Sequence, residues 1–107
     1  MPSAKPPKTF AKPPKERNDF DIIIVTPDKV VFEDKSTKTI LPGKLQDIGI
    51  LPNHAPLYAQ LTAGDAIITT VSGEVKTVPI ESGIVRVRNN QVSIVIGFET
   101  YEMVNQL

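Results

Sequence analysis

Short apolar runs separated by turn residues fill the chain from residue 20 onward. The first run, FDIIIV at Phe20–Val25, is rich in β-branched residues and ends at a Thr-Pro-Asp turn, in which the proline presets φ. A second run begins at Val30 and extends through residue 40 to a Pro42-Gly43 turn. These two segments predict a pair of β-strands at the start of a domain.

Two hairpins are predicted in the second half of the chain. Each has two β-branched runs around a turn of small or amide residues: residues 66–71 and 75–80 around Ser72-Gly73-Glu74, then residues 84–88 and 92–96 around Asn89-Asn90. In the last hairpin, valines alternate with Arg86 and Arg88, so one face is predicted to be buried while the other presents two guanidinium groups to solvent or to a partner. Turn signals recur about every eight to twelve residues without helical periodicity, which predicts an all-β domain, a sandwich or a barrel.

The composition limits the size and the environment of this domain. With 107 residues, of which 40% are hydrophobic, the chain can bury one modest core, so a single domain is expected. No apolar run reaches the roughly 18 residues that span a membrane, and the first residues lack the apolar stretch of a secretory signal. Cysteine is absent, which excludes disulfides, thiolate metal sites and Cys nucleophiles. The chain is expected in the cytosol or on a cytosol-facing assembly.

The formal net charge of zero hides an uneven distribution. Residues 1–17 hold four lysines and one arginine against one glutamate, a net charge of +4, so the rest of the chain carries −4. The motif KPPK occurs twice, at Lys5 and Lys12, and paired prolines favour extended polyproline II geometry over helix. We therefore expect a disordered basic arm over residues 1–18, a domain over residues 19–98 and a short tail over residues 99–107. A solubilising terminus is the simplest interpretation of the arm.

No constellation of residues indicates catalysis. His54 is the only histidine and lies between Pro52 and Pro56, and no serine sits in a G-x-S-x-G elbow that could pair with it. One histidine without cysteine cannot supply the ligands of zinc, the acidic residues lack EF-hand spacing, and the PGK turn is not a phosphate-binding loop. Nucleic-acid binding is not expected from a net acidic domain with few aromatic residues. We predict no catalytic residue, cofactor or metal, and a domain that works by presenting a surface.

Three motifs in order resemble one known family. The segment DIGILPNHAPLYAQLTAG at residues 47–64 resembles the signature of the ε subunit of rotary F-type ATP synthases, called δ in mitochondria. VTP with VVF in residues 25–32 resembles that family's V-S-P-x-x-x-x-F, and SGIVRV with NQV in residues 82–92 resembles its S-G-G-x-x-x-V-x-x-N-x-V. The resemblance covers residues 20–98 and departs from the pattern at Gln46-Asp47, where many members have Gly-Glu or Gly-Ala.

The resemblance implies a β-sandwich of two packed sheets and a non-catalytic role in the central stalk. Such a subunit joins the γ subunit to the ring of membrane c subunits, rotates with both and couples proton or other ion translocation to ATP synthesis. It is part of the F1 hetero-oligomer and meets the membrane only through the c-ring. The implied location is the cytoplasmic face of an energy-transducing membrane, or the equivalent organellar matrix or stromal face.

The resemblance also implies which residues meet the partners. Positions matching Thr26, His54 and Ala59 face γ in similar proteins. The loop toward the c-ring matches Pro42, Gly43, Lys44, Leu45, Gln46 and Asp47. An alternative interpretation of His54 is a buried histidine that bonds to a backbone carbonyl and only holds the shape of its loop.

Two further features of the chain bear on function. Family members commonly continue into a pair of antiparallel helices that can inhibit ATP hydrolysis. The ten residues after Gly97 are too few for such a pair. We therefore expect a member without the helical hairpin and without the inhibition that the hairpin exerts. The alternative to a stalk subunit is a free-standing β-sandwich binding module, which would use the KPPK arm or the Arg86 and Arg88 face on an acidic partner such as nucleic acid or anionic lipid.

Overall fold

The computed structural model describes residues 17–97, so the structures of the predicted arm and tail fall outside it apart from residues 17 and 18. Eight β-strands make up the described part: β1 Phe20–Val25, β2 Val30–Leu41, β3 Ile48–Ile50, β4 Leu57–Leu61, β5 Gly64–Thr70, β6 Val75–Ile80, β7 Gly83–Arg88 and β8 Gln91–Ile96. Residues 17–97 contain no helix, and hence none that could cross a membrane. The all-β prediction is confirmed.

The strands form one hydrogen-bonded sheet in the order β4-β7-β8-β1-β2-β5-β6, with β3 paired to β2. Neighbouring strands are antiparallel except β1 and β8, which run parallel from Asp21↔Gln91 to Val25↔Val95. The sheet curls until Gly43, just past β2, forms a bridge to Leu61 at the end of β4. The result is a curled β-sandwich, close to a half-barrel, in which β2 belongs to both layers. The predicted sandwich is confirmed in this form.

A bulge in β2 lets this strand change layers. Its first half pairs with β1 up to Ser36, and its second half pairs with β5 from Ser36 onward, with a register shift before Lys38. Ser36 is fully buried, and its Oγ lies 2.8 Å from the Thr69 carbonyl oxygen and 2.9 Å from Thr39 Oγ1. The same oxygen accepts the backbone N–H of Lys38 at 3.1 Å. Ser36 thus satisfies backbone groups that the bulge removes from the ladder.

The core is built from the inward positions of every strand, as two-residue alternation requires. Its buried hydrophobic residues are Phe20, Ile22, Ile24, Leu41, Ile50, Leu61, Ala66, Ile68, Ile80, Val85, Val87, Val92, Ile94 and Ile96. Burying each large aliphatic side chain contributes about 1.5–3 kcal/mol before the entropy of ordering is subtracted. The alternation predicted for β7 is confirmed, because its two valines are buried and its two arginines are exposed.

The predicted hairpins are present with the expected turns. In the β5–β6 turn Gly73 has φ 92°, and in the β7–β8 turn Asn89 and Asn90 have φ 50° and 60°. A type I′ hairpin turn needs positive φ at both central positions, which asparagine tolerates better than most residues. The short strands β3 and β4 were not predicted, because the segment between them is rich in proline.

Candidate partner-binding surfaces

The proline segment, residues 51–56, lies between β3 and β4 and is fastened through Asn53. The backbone N–H of Asn53 donates to Asn90 Oδ1 at 2.7 Å, and Asn90 Nδ2 donates to Asn53 Oδ1 at 3.0 Å. Asn53 also bonds twice to the backbone of Arg17: its Nδ2 donates to the carbonyl at 2.8 Å, and its Oδ1 accepts the N–H at 3.1 Å. We call these three residues the asparagine clasp. It joins the proline segment to the β7–β8 turn and to the residues that enter β1.

Sequence reasoning missed the clasp and counted Arg17 as part of the arm. The available signals were the Asn-Asn turn and an asparagine after proline, since these residues tolerate left-handed backbone. Asn53 has φ 65° and Asn90 has φ 60°. Asn90 is only 8% exposed, and its carbonyl accepts the N–H of Asp21 at 2.9 Å. The clasp is therefore part of the start of β1 as well as of the proline segment.

His54 is half-buried within the proline segment, and its Nδ1 lies 2.7 Å from the carbonyl oxygen of Ala55. Because a carbonyl only accepts, Nδ1 carries the proton in this contact. Within residues 17–97, Nε2 has no hydrogen-bond partner. The ring therefore contacts its own loop through one nitrogen, and the other has no partner within residues 17–97. The alternative interpretation expected a buried histidine, whereas this ring is only half-buried. Contact between His54 and γ stays a prediction.

Thr26 directly follows β1 and stabilises the turn after that strand. Its Oγ1 accepts the backbone N–H groups of Asp28 at 3.2 Å and Lys29 at 3.1 Å, and its own N–H donates to the Lys29 carbonyl at 2.8 Å. Gly97 lies beside it, since a Cβ added there would meet the Thr26 side chain at 3.6 Å. Thr26 is half-buried, so it has a structural task whether or not it also meets γ.

Ala59 occupies the middle of the edge strand β4. It pairs with Val85 of β7, which pairs with Ile94 of β8, and residues opposite each other share one face of a sheet. Its side chain therefore points to the core side and packs against the cluster, half-buried. Ala59 also lines an open groove of about 670 Å³ together with residues 43–46 of the loop that was predicted to face a different partner.

The loop of residues 42–47 has a bonded base and an exposed tip. The N–H of Thr62 donates to the Pro42 carbonyl at 2.8 Å, and the N–H of Lys44 donates to the Gln60 carbonyl at 3.1 Å. Gly43 sits in the bridge to β4, where the Gln46 carbonyl oxygen and the Ile48 side chain leave no room for a Cβ. At the tip Leu45 is 97% exposed. A leucine held outside the fold on a fixed base is a candidate contact with a partner.

The structure places the predicted site residues in separate regions. His54 lies three residues before β4 begins, whereas Gly43 is bridged to Leu61, the last residue of β4, so the strand separates them by roughly 13 Å. Thr26 lies at the end of β1 that is remote from the clasp, since the clasp joins the start of that strand. Within residues 17–97 no hydrogen bond joins Thr26, His54 and Ala59 to one another.

A small charge cluster surrounds the entry to β1. Lys35 Nζ lies 2.7 Å from Asp21 Oδ1, and the Arg17 guanidinium contacts Asp19 at 2.6 Å and Asp21 at 3.4 Å. Hydrogen bonding from Lys35, followed by that from Arg17, lowers the pKa of Asp21. Hydrogen bonds to Asp19 and then Asp21 raise the pKa of Arg17. These are solvent-accessible ion pairs, and among the described residues no group of three or more His, Cys, Asp or Glu could hold a metal ion.

Comparison with known proteins points to one family. The family model for the β-sandwich domain of the ATP synthase delta/epsilon chain matches residues 19–97. The ATP synthase epsilon chain of Desulfitobacterium hafniense is 39% identical over 75 residues, covering 70% of this chain and 56% of the relative. That of Koribacter versatilis is 41% identical over 75 residues, covering 70% and 52%. The chain therefore spans about half the length of the curated relatives it matches.

Solved structures agree on the fold. A chain of the mitochondrial ATP synthase of Euglena gracilis superposes with a TM-score of 0.70 at 13% identity, covering 92% of this chain and 72% of that one. A chain of the central stalk and c-ring of the Tetrahymena thermophila enzyme gives 0.63 at 17% identity, covering 78% and 66%. At such identities the likeness establishes the β-sandwich fold alone.

Proposed function

Because the chain belongs to the family of the ATP synthase delta/epsilon chain, through its β-sandwich domain, we propose that it is a central-stalk subunit of an F-type ATP synthase. In this proposal it links γ to the c-ring and helps couple ion translocation to ATP synthesis. It sits peripherally on the cytoplasmic face of the energy-transducing membrane, or on the equivalent organellar matrix or stromal face, and touches the membrane through the c-ring.

The observation that carries this proposal is the separation of two candidate surfaces on one small domain. The loop of residues 42–47 presents an exposed leucine at one end of β4, and the proline segment with His54 lies at the other end. A subunit that links two partners needs two contact surfaces that can be occupied together. We assign the loop to the c-ring and the proline segment with His54 to γ. Contacts of Thr26 and Ala59 with γ stay predictions carried over from the resemblance, because Thr26 follows the end of β1 that is remote from the proline segment and Ala59 lines the groove beside the loop.

The rigidity of the proline segment supports its assignment to γ. The asparagine clasp fixes the backbone of the segment, and its first residue, Leu51, is 56% exposed. A rigid segment loses little conformational entropy when it binds, so it suits a stable contact. The available Nε2 of His54 would add one hydrogen bond to such an interface. We propose no catalytic role for the chain, in keeping with a coupling subunit that has no active site of its own.

Two leucine substitutions test the assignment of both surfaces. Leu45→Ser and Leu51→Ser make the same chemical change on exposed residues at opposite ends of β4. We expect Leu45→Ser to weaken binding to the purified c-ring in detergent and to leave binding to γ-containing F1 unchanged. Leu51→Ser should weaken binding to F1 and leave c-ring binding unchanged. Sedimentation or biolayer interferometry with the full chain measures both.

The proposal would be overturned if the two variants lost the same affinity for each of the two partners.

The salt dependence of binding distinguishes a stalk subunit from a free-standing binding module. An interface that rests on buried apolar surface should survive high salt, whereas binding through the basic arm should weaken steeply as salt screens it. Loss of all binding to F1 and c-ring above physiological salt would favour the module.

A further inference from the structure

The outer face of β7 carries two arginines that no described group neutralises. Arg86 and Arg88 are both exposed, and no ion pair or hydrogen bond engages either guanidinium within residues 17–97. By contrast, the guanidinium of Arg17 is bound by two carboxylates. Two cations at alternate positions of a strand lie about 7 Å apart on the same face. β7 thus displays a pair of positive charges that no group within residues 17–97 neutralises.

Polar and aromatic side chains flank the two arginines in register. Arg86 pairs with Ser93 of β8 on one side and with Tyr58 of β4 on the other, and Arg88 pairs with Gln91. The serine, the glutamine and both arginines line a depression of about 180 Å³ with Asn89. Tyr58 is 72% exposed and lies on the edge strand of the sheet. These residues form what we call the arginine face: Tyr58, Arg86, Arg88, Asn89, Gln91 and Ser93.

We propose that the arginine face is a docking surface for an extended acidic segment of a partner protein, with carboxylates at alternate positions. In an extended chain, side chains two residues apart share a face and are spaced by about 7 Å, which matches the spacing of Arg86 and Arg88. A guanidinium binds a carboxylate through two parallel N–H···O bonds. The hydroxyl of Ser93 and the amide of Gln91 supply further hydrogen-bond donors.

Composition favours a protein partner over a membrane surface. Arginine and tyrosine are enriched at protein–protein contacts, where they contribute much of the binding energy. The nearest carboxylate in register, that of Asp21, is two strands from Arg88 and already bonded to Lys35. The face borders the proline segment, since Tyr58, Arg86 and Arg88 line a shallow groove with Pro56. The peptide test needs neither γ nor the c-ring, so its failure is distinguishable from failure of the proposed function.

The test uses two synthetic peptides with the same charge. One repeats Glu-Thr four times and places its carboxylates at alternate positions, and the other repeats Glu-Thr-Thr four times and places them on alternating faces. The chain has two tyrosines and no tryptophan, so Tyr101→Phe leaves Tyr58 as the only fluorophore. Titration of Tyr58 fluorescence should show tighter binding of the Glu-Thr peptide.

Variants that remove equal charge distinguish specific binding at the arginine face from non-specific electrostatic attraction of the peptide to the domain. Arg86→Gln with Arg88→Gln should raise the Kd of the Glu-Thr peptide about tenfold, as expected when two solvent-exposed bidentate pairs are lost. Lys29→Gln with Lys38→Gln removes the same charge from exposed positions elsewhere and should change the Kd less than about twofold. When both arginines are replaced by lysine, the rise in Kd should lie between those of the two glutamine pairs, because lysine keeps the charge but lacks the planar guanidinium that binds a carboxylate through two bonds.

Three outcomes would overturn the proposal. The first is an equal effect of the arginine and lysine pairs. The second is equal affinity for the two peptides, which would leave no preference for alternate carboxylates. The third uses vesicles of phosphatidylcholine with phosphatidylserine: if the arginine pair is needed for vesicle binding but not for peptide binding, the face serves anionic lipid. Circular dichroism melting of each variant confirms that the fold is retained.

Discussion

Substitution of Asn90 tests whether the asparagine clasp stabilises the domain. The β7–β8 turn contains two asparagines in the same left-handed conformation, with φ 50° at Asn89 and 60° at Asn90. Of the two, only Asn90 uses its side chain within residues 17–97, in two hydrogen bonds with Asn53. Alanine at either position therefore meets the same backbone penalty, but only Asn90→Ala also breaks the Asn53–Asn90 part of the clasp.

The expected magnitudes follow from this difference. Alanine in a left-handed conformation costs roughly 1 kcal/mol, and we assign that cost to both variants. Asn90→Ala loses two hydrogen bonds and leaves the Asn53 N–H without its acceptor, which adds about 2 kcal/mol. For a domain of this size 1 kcal/mol shifts Tm by about 4–8 °C. Asn90→Ala should therefore melt about 10 °C below Asn89→Ala.

Thermal unfolding followed by circular dichroism measures the two variants against the parent chain. A third variant, Asn90→Gly, keeps the backbone conformation at no steric cost and loses only the side-chain bonds, so its Tm should lie between the other two. The reasoning is refuted if Asn89→Ala and Asn90→Ala melt within about 2 °C of each other, a gap too small for two partly buried hydrogen bonds. Binding to γ-containing F1 should fall with the clasp, because the proline segment loses its anchor.

Three other perturbations have defined outcomes. Gly83→Ala should destabilise the domain by about 2–4 kcal/mol in urea unfolding, because its Cβ would meet backbone atoms of β8, whereas Gly49→Ala, with nothing within 4 Å of its Cβ, should stay within about 0.5 kcal/mol. Lys35→Gln should raise the pKa of Asp21 back toward its ordinary value in an NMR titration. A lowered carboxylate pKa stabilises the fold at pH values above the unfolded-state pKa, and this stability is lost as pH falls through the folded-state pKa, so the variant should lose less stability on acidification. An unchanged Asp21 titration would contradict this. Deleting residues 1–16 should shift stability by no more than about 0.5 kcal/mol, as for changes remote from packing, and unfolding of the truncated chain would show that the arm holds part of the domain.

The strands with strong local signals could be predicted from the sequence. Asn89-Asn90 and Ser72-Gly73 mark turns that few residues can make, and β-branched runs on either side leave little alternative to hairpins. The β1–β8 pairing could not be predicted, because no local pattern specifies which strands meet across about seventy residues of chain. The short strands beside the proline segment were also missed, since their pairing is imposed by β2 and β7.

The candidate site was predicted only as a set of positions carried over from a resemblance. Sequence motifs identify Thr26 and His54 without their spacing, and the structure places them in different regions of the fold. Ala59 could have been assigned inward only with knowledge of its pairing to Val85. The clasp escaped prediction for the same reason, because Asn53 and Asn90 are 37 residues apart and become partners only when the curled sheet brings β4 beside β7.

Because β1 and β8 pair in parallel, the resistance of the domain to force depends on the direction in which it is pulled. The chain enters β1 beside the clasp and leaves β8 at Gly97, beside Thr26, so the two ends of the described segment emerge at opposite ends of one strand pair. A force that pulls residues 17 and 97 apart acts along both strands and shears their ladder, which spreads the strain over five register pairs at once instead of opening them one by one. We expect such a domain to resist stretching between residues 17 and 97 far better than peeling at its β4 edge, which would suit the stalk role proposed above.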